Sequence, residues 1–365
     1  MDEARAETLS ERIFTETVGG MGLLALDLGH RLGLFKGLAN SGTVTVSQLA
    51  KRTQLSQRYV REWLFAVATS GYVEADANGE IFTLPEEHAA VLADEDNPFF
   101  IGAYPGVLQG LAMAVDPLLE AFKSGGGVPY EDYGGHFREG VALTNRPMYQ
   151  HEYAQKWIPA MPEEKAKLNQ GARVADIGCG VGWSCIFLAK HFIKAKIDGF
   201  DLDEESIAEA RHFADHYGVS DRVHFHVCAI EEFKLTAPYD LVTAFECLHD
   251  MPYPVNVLSR MREMANPGGT GFIADEAGGE GFSDNNNQPL GRFFYNVSVL
   301  HCLPQAMVFP DAVGIGTAIS ESTVRKYAYE AGFSYTKVIE IENPLFRFYQ
   351  LTPQGNAEET LVLNL

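Results

Sequence analysis

Positive charge is scarce in this chain. Its 365 residues carry 28 lysines and arginines against 49 aspartates and glutamates, which gives a formal net charge of −21. Such a field repels the phosphates of nucleic acids and the head groups of anionic lipids, so we expect neither as a partner. No apolar stretch approaches the length of a membrane span, and the N-terminus, MDEARAETLSERIF, lacks the apolar core of a signal peptide. These absences favour a cytoplasmic protein.

Cysteine is also rare. The five cysteines show no C-x-x-C spacing and are odd in number. They therefore indicate reduced, buried thiols rather than a disulfide framework or a structural zinc site. The hydrophobic content of 46% is sufficient, at this length, for a substantial core and for more than one domain.

The most informative stretch runs from Ala172 to Asp203 and reads ARVADIGCGVGWSCIFLAKHFIKAKIDGFDLD. A short apolar run leads to Asp176, a glycine-rich turn covers 178–182, and a second apolar run ends at Asp201. This pattern predicts a strand, a turn, a helix and a second strand with an acidic tip, the first βαβ unit of a doubly wound sheet. The glycines let the backbone approach a ligand closely, and Asp201 can accept both hydroxyls of a ribose.

The glycine spacing distinguishes this loop from other nucleotide-binding loops. It reads D-x-G-x-G-x-G rather than G-x-G-x-x-G, and no Lys-Ser/Thr follows it as in a P-loop. The stretch resembles the first motif of the class I S-adenosylmethionine (SAM)-dependent methyltransferases. The resemblance implies that SAM is the cofactor, that the loop wraps its methionine part and that the acidic strand tip binds its ribose. The cofactor-binding residues expected on this basis are Asp176, Gly178, Cys179, Gly180, Gly182, Asp201, Leu202, Cys228, Ala229, Ile230, Phe245 and Glu246.

Two features concern the remaining cofactor contacts. The family often places an aspartate near Ala229 to hold the adenine amino group, and its absence here leaves adenine to backbone and apolar contacts around residues 228–230.

Residues 130–157 are rich in aromatic side chains, and aromatic rings attract a sulfonium cation. We therefore add Tyr133 and Trp157 as candidate cofactor contacts. The alternative is that these rings only pack a domain junction.

The N-terminal part of the chain predicts a winged helix-turn-helix over residues 43–84. Ser56 can cap its second helix, and Asn78-Gly79 predicts the hairpin turn of the wing. Residues 45–85 contain four basic and four acidic side chains, so this segment lacks the excess of positive charge that DNA binding needs. Residues 8–40 predict two helices, broken at glycines, with surplus apolar surface that serves either self-association or ordinary burial. We expect a dimerisation domain and a homodimer.

The predicted fold class is α/β. It combines a Rossmann-like SAM-dependent methyltransferase domain, with a seven-stranded sheet and an antiparallel last strand, and an N-terminal, mainly helical winged-helix domain. The predicted domains are 1–90 for the helical and winged-helix dimerisation domain, 91–165 for a helical connecting region that contributes to the active site, and 166–365 for the SAM domain. An active-site insertion is expected at about 278–318.

Two polar segments are expected at the carboxyl ends of strands, where open α/β sheets bind their ligands. The first follows the fourth strand and contains His249 and Asp250; the second lies in the insertion and contains His301. Three interpretations remain open from the residues alone. His249 is a general base, the two histidines bind a metal, or each is a buried structural histidine.

A second resemblance narrows these alternatives. Together with RYVREW in the winged helix, the segments Leu248-His249-Asp250 and His301-Cys302-Leu303-Pro304 resemble a branch that includes bacterial C-methyltransferases of α-keto acids such as phenylpyruvate. The resemblance implies that His249 and His301 bind iron or zinc, which holds the substrate enolate. Asp250 would then order metal-bound water or assist proton transfer. Arg146 and Arg292 are candidates for binding a carboxylate, or structural ion pairs.

The predicted function is therefore SAM-dependent methyl transfer to a small molecule, with metal-assisted C-methylation of an α-keto acid as the main hypothesis. One alternative is a metal-independent O- or N-methyltransferase of a small aromatic metabolite, with His249 as the general base. The other alternative is a SAM-binding winged-helix transcriptional regulator.

Overall fold

The computed structural model describes residues 1–353 of the chain. Its contacts define two compact units: a helical unit, Met1–Ala112 with Gly135–Pro147, and a sheet unit, Met113–Gly134 with Met148–Leu365. The predicted connecting region, 91–165, is thus shared between the two units. None of the helices in the described part of the chain combines the length and the apolar character needed to cross a bilayer.

The first part of the chain is mainly helical. In chain order its regular elements are α1 (Glu3–Arg31), α2 (Leu34–Leu38), β1 (Val44–Thr45), α3 (Val46–Thr53), α4 (Gln57–Thr69), β2 (Glu74–Ala75), β3 (Ile81–Thr83), α5 (Glu86–Leu92), α6 (Pro105–Met113), α7 (Val115–Ser124), a 3₁₀ turn (Tyr130–Tyr133) and α8 (Gly134–Met148). Strands β1 and β2 both pair antiparallel with β3. This arrangement confirms the predicted winged helix-turn-helix and its hairpin wing.

The helix cap found in the winged-helix segment differs from the one that we expected for its second helix. Ser56 occupies the position before α4, but its side chain makes no capping hydrogen bond. Thr45 instead caps α3: Gln48 N donates to Thr45 Oγ1 at 3.3 Å, and Thr45 N donates to Gln48 Oε1 at 2.8 Å. This reciprocal pair satisfies two backbone donors of the helix N-terminus.

Residues 8–40 form two helices as predicted, α1 and α2, but the predicted glycines do not mark the break between them. Helix α1 runs through Gly19, Gly20 and Gly29 over 29 residues. A glycine inside a helix costs only about 0.5–1 kcal/mol relative to alanine, which does not end a helix of this length. The chain turns at Gly33 instead, whose φ of 66° lies in the left-handed region.

Gly29 has a packing role that Gly19 lacks. A Cβ at Gly29 would lie 2.5 Å from ring atoms of Phe35 and Trp63, whereas nothing lies within 4 Å of the Cβ position at Gly19. We expect Gly29→Ala to destabilise the protein by about 1–3 kcal/mol through overpacking. The control, Gly19→Ala, should stabilise it by up to about 1 kcal/mol. Denaturant unfolding measures both, and a Gly29→Ala variant as stable as its parent contradicts this packing.

The sheet unit alternates strands and helices after three irregular helical segments. In chain order its elements are a π-helical segment (Tyr149–Trp157), a 3₁₀ turn (Ile158–Ala160), α9 (Pro162–Gln170), β4 (Arg173–Ile177), α10 (Trp183–His191), β5 (Lys196–Asp201), α11 (Glu204–His216), β6 (Val223–Val227), a 3₁₀ turn (Ile230–Glu232), β7 (Tyr239–Phe245), a 3₁₀ turn (Leu248–Asp250), α12 (Pro254–Met264), β8 (Ala265–Glu276), α13 (Phe282–Asn286), α14 (Gly291–Val297), a second π-helical turn (Ser298–Cys302), α15 (Leu303–Ala306), α16 (Glu321–Glu330), β9 (Tyr335–Ile339) and β10 (Phe346–Thr352).

Seven strands form one sheet in the order β6-β5-β4-β7-β8-β10-β9. The first five strands in this order pair in parallel, and β10 lies antiparallel between β8 and β9. The predicted seven-stranded sheet with an antiparallel last strand is thus confirmed. The central strands β4 and β7 are almost entirely buried, as expected for parallel strands covered on both faces.

The register of the central strands places the chain segments that follow them at one edge of the sheet. Ile177 lies opposite Ala244, and Phe245 lies opposite Ala274. Strand β8 begins at Ala265, which pairs with Tyr239 before the register shifts. Consequently the residues that follow β4, β5, β7 and β8 meet at the carboxyl edge, where ligands of such sheets bind.

Candidate active site

The glycine-rich turn after β4 is tight, and its three glycines have positive φ. The values for Gly178, Gly180 and Gly182 are 69°, 52° and 80°, a region that residues with a Cβ rarely adopt. A Cβ at Gly182 would lie 2.4 Å from the Phe225 ring, whereas nothing lies within 4 Å of the Cβ position at Gly180. The loop is therefore fixed by packing on one side and open at Gly180.

Asp176 lies beneath this loop. Its buried carboxylate accepts hydrogen bonds from the hydroxyls of Ser184 and Thr243. Burial raises its pKa, and these two donors act in the opposite direction. Cys179 N donates to the Phe200 carbonyl at 3.1 Å. Asp176 and the Cys179 backbone therefore hold the loop against α10, β5 and β7.

Asp201 ties the loop to the tip of β5. Its Oδ2 accepts a hydrogen bond from Gly180 N at 2.8 Å, and its Oδ1 accepts one from Asp203 N at 2.9 Å. Burial raises the pKa of this carboxyl group, and the backbone donors oppose that shift. The residue expected to bind ribose thus lies directly against the most open glycine of the loop.

The tips of β5 and β6 carry a small apolar surface. Leu202 is 59% exposed. Cys228 is half-buried, and its backbone N donates to the Asp201 carbonyl at 3.1 Å. Ala229 precedes a short helical turn in which Ile230 is buried. The positions expected to contact adenine therefore lie on adjacent strand ends.

Phe245, the last residue of β7, is enclosed by aromatic rings. Tyr153 and Trp157 lie 5.0 and 5.6 Å from it between ring centroids. The Trp157 side chain is fully buried, so in this structure it packs the sheet unit. The next residue, Glu246, has a φ of 52°. Such a strained conformation in a residue with a Cβ is frequent at functional sites.

His249 follows β7 in a short helical turn and is buried. Its Nδ1 lies 2.6 Å from Asp275 Oδ1 and 2.8 Å from Glu276 Oε2. These two carboxyl groups end β8 and reach His249 because Phe245 and Ala274 pair in parallel register. Since an ionised carboxylate only accepts hydrogen bonds, Nδ1 carries a proton and Nε2 points the other way.

The charges in this cluster are balanced internally. Burial disfavours the imidazolium form of His249, but the carboxyl groups of Glu276 and Asp275 outweigh burial and hold its pKa well above 6.5. Burial also opposes ionisation of Asp275, yet the neighbouring imidazolium brings the pKa of Asp275 below its ordinary value. Burial raises the pKa of Glu276 well above its ordinary value. Asp275 is therefore ionised beside the imidazolium, and Glu276 loses its proton only at a higher pH than a free glutamate does.

The other ring nitrogen of His249 faces the second polar segment. Nε2 lies 3.3 Å from Cys302 Sγ, and the same sulfur lies 3.6 Å from His301 Nδ1. Burial lowers the pKa of His301 to about 3, so its ring is neutral. Tyr133 packs edge-on against His301 with a centroid distance of 4.7 Å, and its hydroxyl donates to Leu300 O at 2.9 Å. Tyr133 thus lies beside the histidine pair.

The remaining candidates take up different positions. Asp250 is half-buried next to His249, and desolvation raises the pKa of its carboxyl group to about 7. Arg146 is buried within the helical unit and pairs with Asp96. This contact fits the structural ion pair that we gave as the alternative to carboxylate binding. Arg292 is exposed on α14.

The predicted two-histidine metal site does not fit this geometry. Within residues 1–353, the side chains whose metal-ligand atoms all lie within 4.8 Å of one another are His249, Asp275 and Glu276; His301 is outside that group. The separation of 2.6 Å between Nδ1 and Asp275 Oδ1 is that of a charge-assisted hydrogen bond, and Glu276 Oε2 lies 2.8 Å from the same nitrogen as an ion-pair contact. On the other side the Cys302 thiol lies between the imidazoles.

Sequence reasoning missed three residues of this site: Asp275, Glu276 and Cys302. The acidic pair directly follows the fifth predicted strand, which neighbours the strand before His249. That adjacency was the available signal. Cys302 adjoins His301, but nothing in the sequence indicates that its sulfur lies between two imidazoles.

The strand order, the glycine-rich loop after β4 and the acidic tip of β5 define the class I SAM-dependent methyltransferase fold. Residues 168–296 match the family model of a methyltransferase domain, and residues 19–94 match that of the Rv2258c-like winged HTH domain. The chain is a SAM-dependent methyltransferase with an N-terminal winged helix-turn-helix domain.

Known proteins resemble the chain over much of its length. A ubiquinone biosynthesis O-methyltransferase from Nitrosospira multiformis is 28% identical over 187 residues, which are 50% of this chain and 71% of that protein. Human N-acetylserotonin methyltransferase in complex with SAM has a TM-score of 0.70 at 16% identity, covering 95% of this chain and 98% of that one. An O-methyltransferase from neocarzinostatin biosynthesis, in complex with S-adenosyl-L-homocysteine (SAH) and 1,4-dihydroxy-2-naphthoic acid, has a TM-score of 0.59 at 17% identity, covering 91% and 96%. The two structures share the fold of this chain.

Proposed function

We propose that this protein transfers the methyl group of SAM to a hydroxyl oxygen of a small aromatic metabolite, with His249 as a metal-independent general base. The observation that carries this proposal is the placement of His249. Its Nδ1 donates to Asp275 and lies beside Glu276, which leaves Nε2 as the proton acceptor when the ring is neutral. The relatives described as O-methyltransferases support oxygen as the acceptor atom and favour this alternative over C-methylation.

The chemistry assigned to the side chains is a single proton transfer. When bound, SAM supplies an electrophilic methyl group on a sulfonium. His249 Nε2 takes the hydroxyl proton of the acceptor as its oxygen attacks the methyl carbon in line, the C–S bond breaks, and SAH leaves. Asp275 stabilises the imidazolium that results, as an orienting carboxylate does in a catalytic triad.

We assign the cofactor to the edge where the loop and the strand tips meet. The open face at Gly180 and the Asp201 carboxylate would hold the methionine and ribose parts of SAM, with Glu246 at the adjacent tip of β7. The exposed Leu202 and residues 228–230 would cover adenine. Asp176 and Gly182 support this cradle from behind.

A methyl-acceptor screen tests the proposed function. Purified enzyme and SAM would be incubated with phenols and with α-keto acids including phenylpyruvate, and SAH release would be followed by mass spectrometry. We expect turnover with a phenol that survives dialysis against a chelator. Turnover with keto acids alone, or activity that is lost on chelation and restored by iron or zinc, contradicts the proposal.

The pH profile tests the role of Asp275. Because a general base acts in its neutral form, kcat/KM should rise with pH through the elevated pKa of His249. Asp275→Asn removes the charge that favours the imidazolium, so we expect the midpoint of this rise to move down by about 1 unit or more. The plateau of kcat should also fall at least about tenfold, because the imidazole loses its orienting partner.

The matched control for this profile is Glu276→Gln. The Glu276 carboxyl group also raises the pKa of His249, so replacing it by a neutral amide should move the midpoint down as well. It should leave the plateau of kcat near the parental value, because Asp275 Oδ1 makes the hydrogen bond that orients Nδ1. The other groups that face His249, namely Asp250, Cys302 and His301, are unchanged in both variants. An equal loss of plateau kcat in the two variants contradicts the assignment of the orienting hydrogen bond to Asp275.

We also propose that the enzyme is a homodimer formed through α1. Large apolar side chains are exposed along one face of this helix: Leu9, Ile13, Phe14, Val18, Met21, Leu24 and Leu28. A helix whose apolar face meets only water is marginal, so a second copy of the same face is the natural cover.

Light scattering on the purified protein tests the dimer. We expect a mass near twice 40.2 kDa for the parent chain and a shift toward the monomer for Phe14→Glu. Thr15→Glu adds the same charge on the opposite face of α1 and should leave the mass unchanged. A parent protein that is monomeric at micromolar concentration, or a dimer that Phe14→Glu leaves intact, contradicts this interface.

A cytoplasmic location completes the proposal. All five cysteines are free thiols, which supports a reducing compartment. The net charge of −21 is unfavourable for DNA binding by the winged helix. That the protein does not bind DNA stays a prediction.

A further inference from the structure

The atom in front of the base is a sulfur of the protein itself. Cys302 Sγ lies 3.3 Å from His249 Nε2 and 3.6 Å from His301 Nδ1. All three side chains are buried. Two ring nitrogens therefore converge on one thiol in the interior of the sheet unit.

The local backbone holds this thiol in place. Cys302 ends the π-helical turn Ser298–Cys302, and π-helical turns are rare and concentrate at functional sites. The loop at Gly127 packs against the next helical turn, since a Cβ there would lie 2.3 Å from Pro304 O, and Val128 N donates to the same oxygen at 2.9 Å. The backbone directly after Cys302 is thus held by packing, so the sulfur can be displaced only by a change in the Cys302 side chain.

The position of the thiol conflicts with the reaction. A general base needs the proton it removes within hydrogen-bond reach, with the acceptor oxygen about 2.6–3.2 Å away. The sulfur takes up that space in front of Nε2. The thiol and a bound hydroxyl group therefore cannot occupy this position at the same time.

Building on the proposed function, we propose that Cys302 is the positioning residue that closes the acceptor subsite: the substrate hydroxyl takes the place of Cys302 Sγ between His249 Nε2 and His301 Nδ1. A thiol is a weak hydrogen-bonding group, so a hydroxyl group displaces it readily. The ligand class is a hydroxyl group on a flat ring. Tyr130 and Tyr133 stand edge-on to His301, with centroids 5.9 and 4.7 Å away, so the wall beside this subsite is aromatic.

Two substitutions of Cys302 test the subsite through opposite effects. Cys302→Ala removes the competing group, so the KM for a phenolic acceptor should fall about threefold or more. Cys302→Ser supplies a hydroxyl that binds the imidazole more strongly than the thiol, so KM should rise about threefold or more. We expect kcat to stay within about twofold of the parent in both variants. A Cys302 that only packs the core would lower kcat and stability in both variants without reversing KM, and that result overturns the proposal.

A binding measurement separates this proposal from the proposed function. Calorimetry on the SAH complexes would use 2-naphthol and 1,4-dihydroxy-2-naphthoic acid as probes. We expect affinities in the order Cys302→Ala, parent, Cys302→Ser, from tightest to weakest. This order in an enzyme that turns over none of the screened acceptors supports the subsite and counts only against the proposed function. Equal affinities, or no binding of either probe to any of the three proteins, overturn the subsite.

Discussion

Replacing His249 by alanine should lower kcat by about 10²–10⁴-fold, the range that a positioned general base contributes. The imidazole is the group that the structure orients through Asp275, at 2.6 Å, and whose second nitrogen faces the proposed acceptor position. SAH affinity should change little, because the polar contacts of His249 go to Asp275, Glu276 and Cys302 and not to the glycine loop. Single-turnover methyl transfer and calorimetry with SAH measure the two effects separately.

The control for this variant is His224→Ala, which removes an exposed imidazole on β6 and should leave kcat unchanged. A His249→Ala enzyme that keeps more than about one tenth of the parental kcat would contradict the role of His249 as the general base. Loss of SAH binding in the same variant would point to a structural role for the buried imidazole.

Replacing Asp201 by alanine should weaken SAM binding by about 10–100-fold. A loss of affinity of this size is expected when hydrogen bonds to a charged acceptor are removed. The carboxylate also accepts from Gly180 N at 2.8 Å, so its removal loosens the loop as well. Asp201→Asn keeps one acceptor oxygen and should lie between the parent and the alanine variant. Calorimetric titration with SAM and SAH measures all three proteins.

Asp203→Ala is the matched control, since it removes a neighbouring carboxylate that caps α11 through Ser206 N at 3.0 Å. It should lower stability by about 1 kcal/mol without weakening SAM binding to the extent of Asp201→Ala. Equal losses of affinity in the two variants would mean that helix capping, rather than ribose binding, explains the effect.

The cofactor half of the molecule was predictable because its signals are local. Asp176, the three glycines and Asp201 lie within one βαβ unit, and glycine at positive φ is a direct consequence of the turn that they form. The winged helix followed from the same kind of local pattern, and the seven-stranded sheet with its antiparallel last strand was expected from the resemblance to the methyltransferase family. The end of α1 was misplaced because a glycine inside a long helix costs too little free energy to end the helix.

The catalytic half was only partly predictable because its contacts are not local. His249 and Asp275 meet through the parallel register of β7 and β8, which no spacing in the sequence specifies. Two histidines near strand ends suggested a metal. In the structure Nδ1 of His249 instead contacts the carboxyl groups of Asp275 and Glu276, and the Cys302 thiol lies between the two imidazoles. Side-chain orientation of this kind depends on packing and cannot be read from residue type.

The central claim is that the chain transfers a methyl group from SAM to oxygen, and carbon NMR of the product tests it most directly. The enzyme would be supplied with SAM carrying a ¹³C-labelled methyl group and with the acceptor found in the screen. We predict a labelled methyl resonance of an aryl methyl ether, formed by the parent enzyme and lost in His249→Ala. A label found on carbon, or an equally rapid ether signal from His249→Ala, would contradict the account.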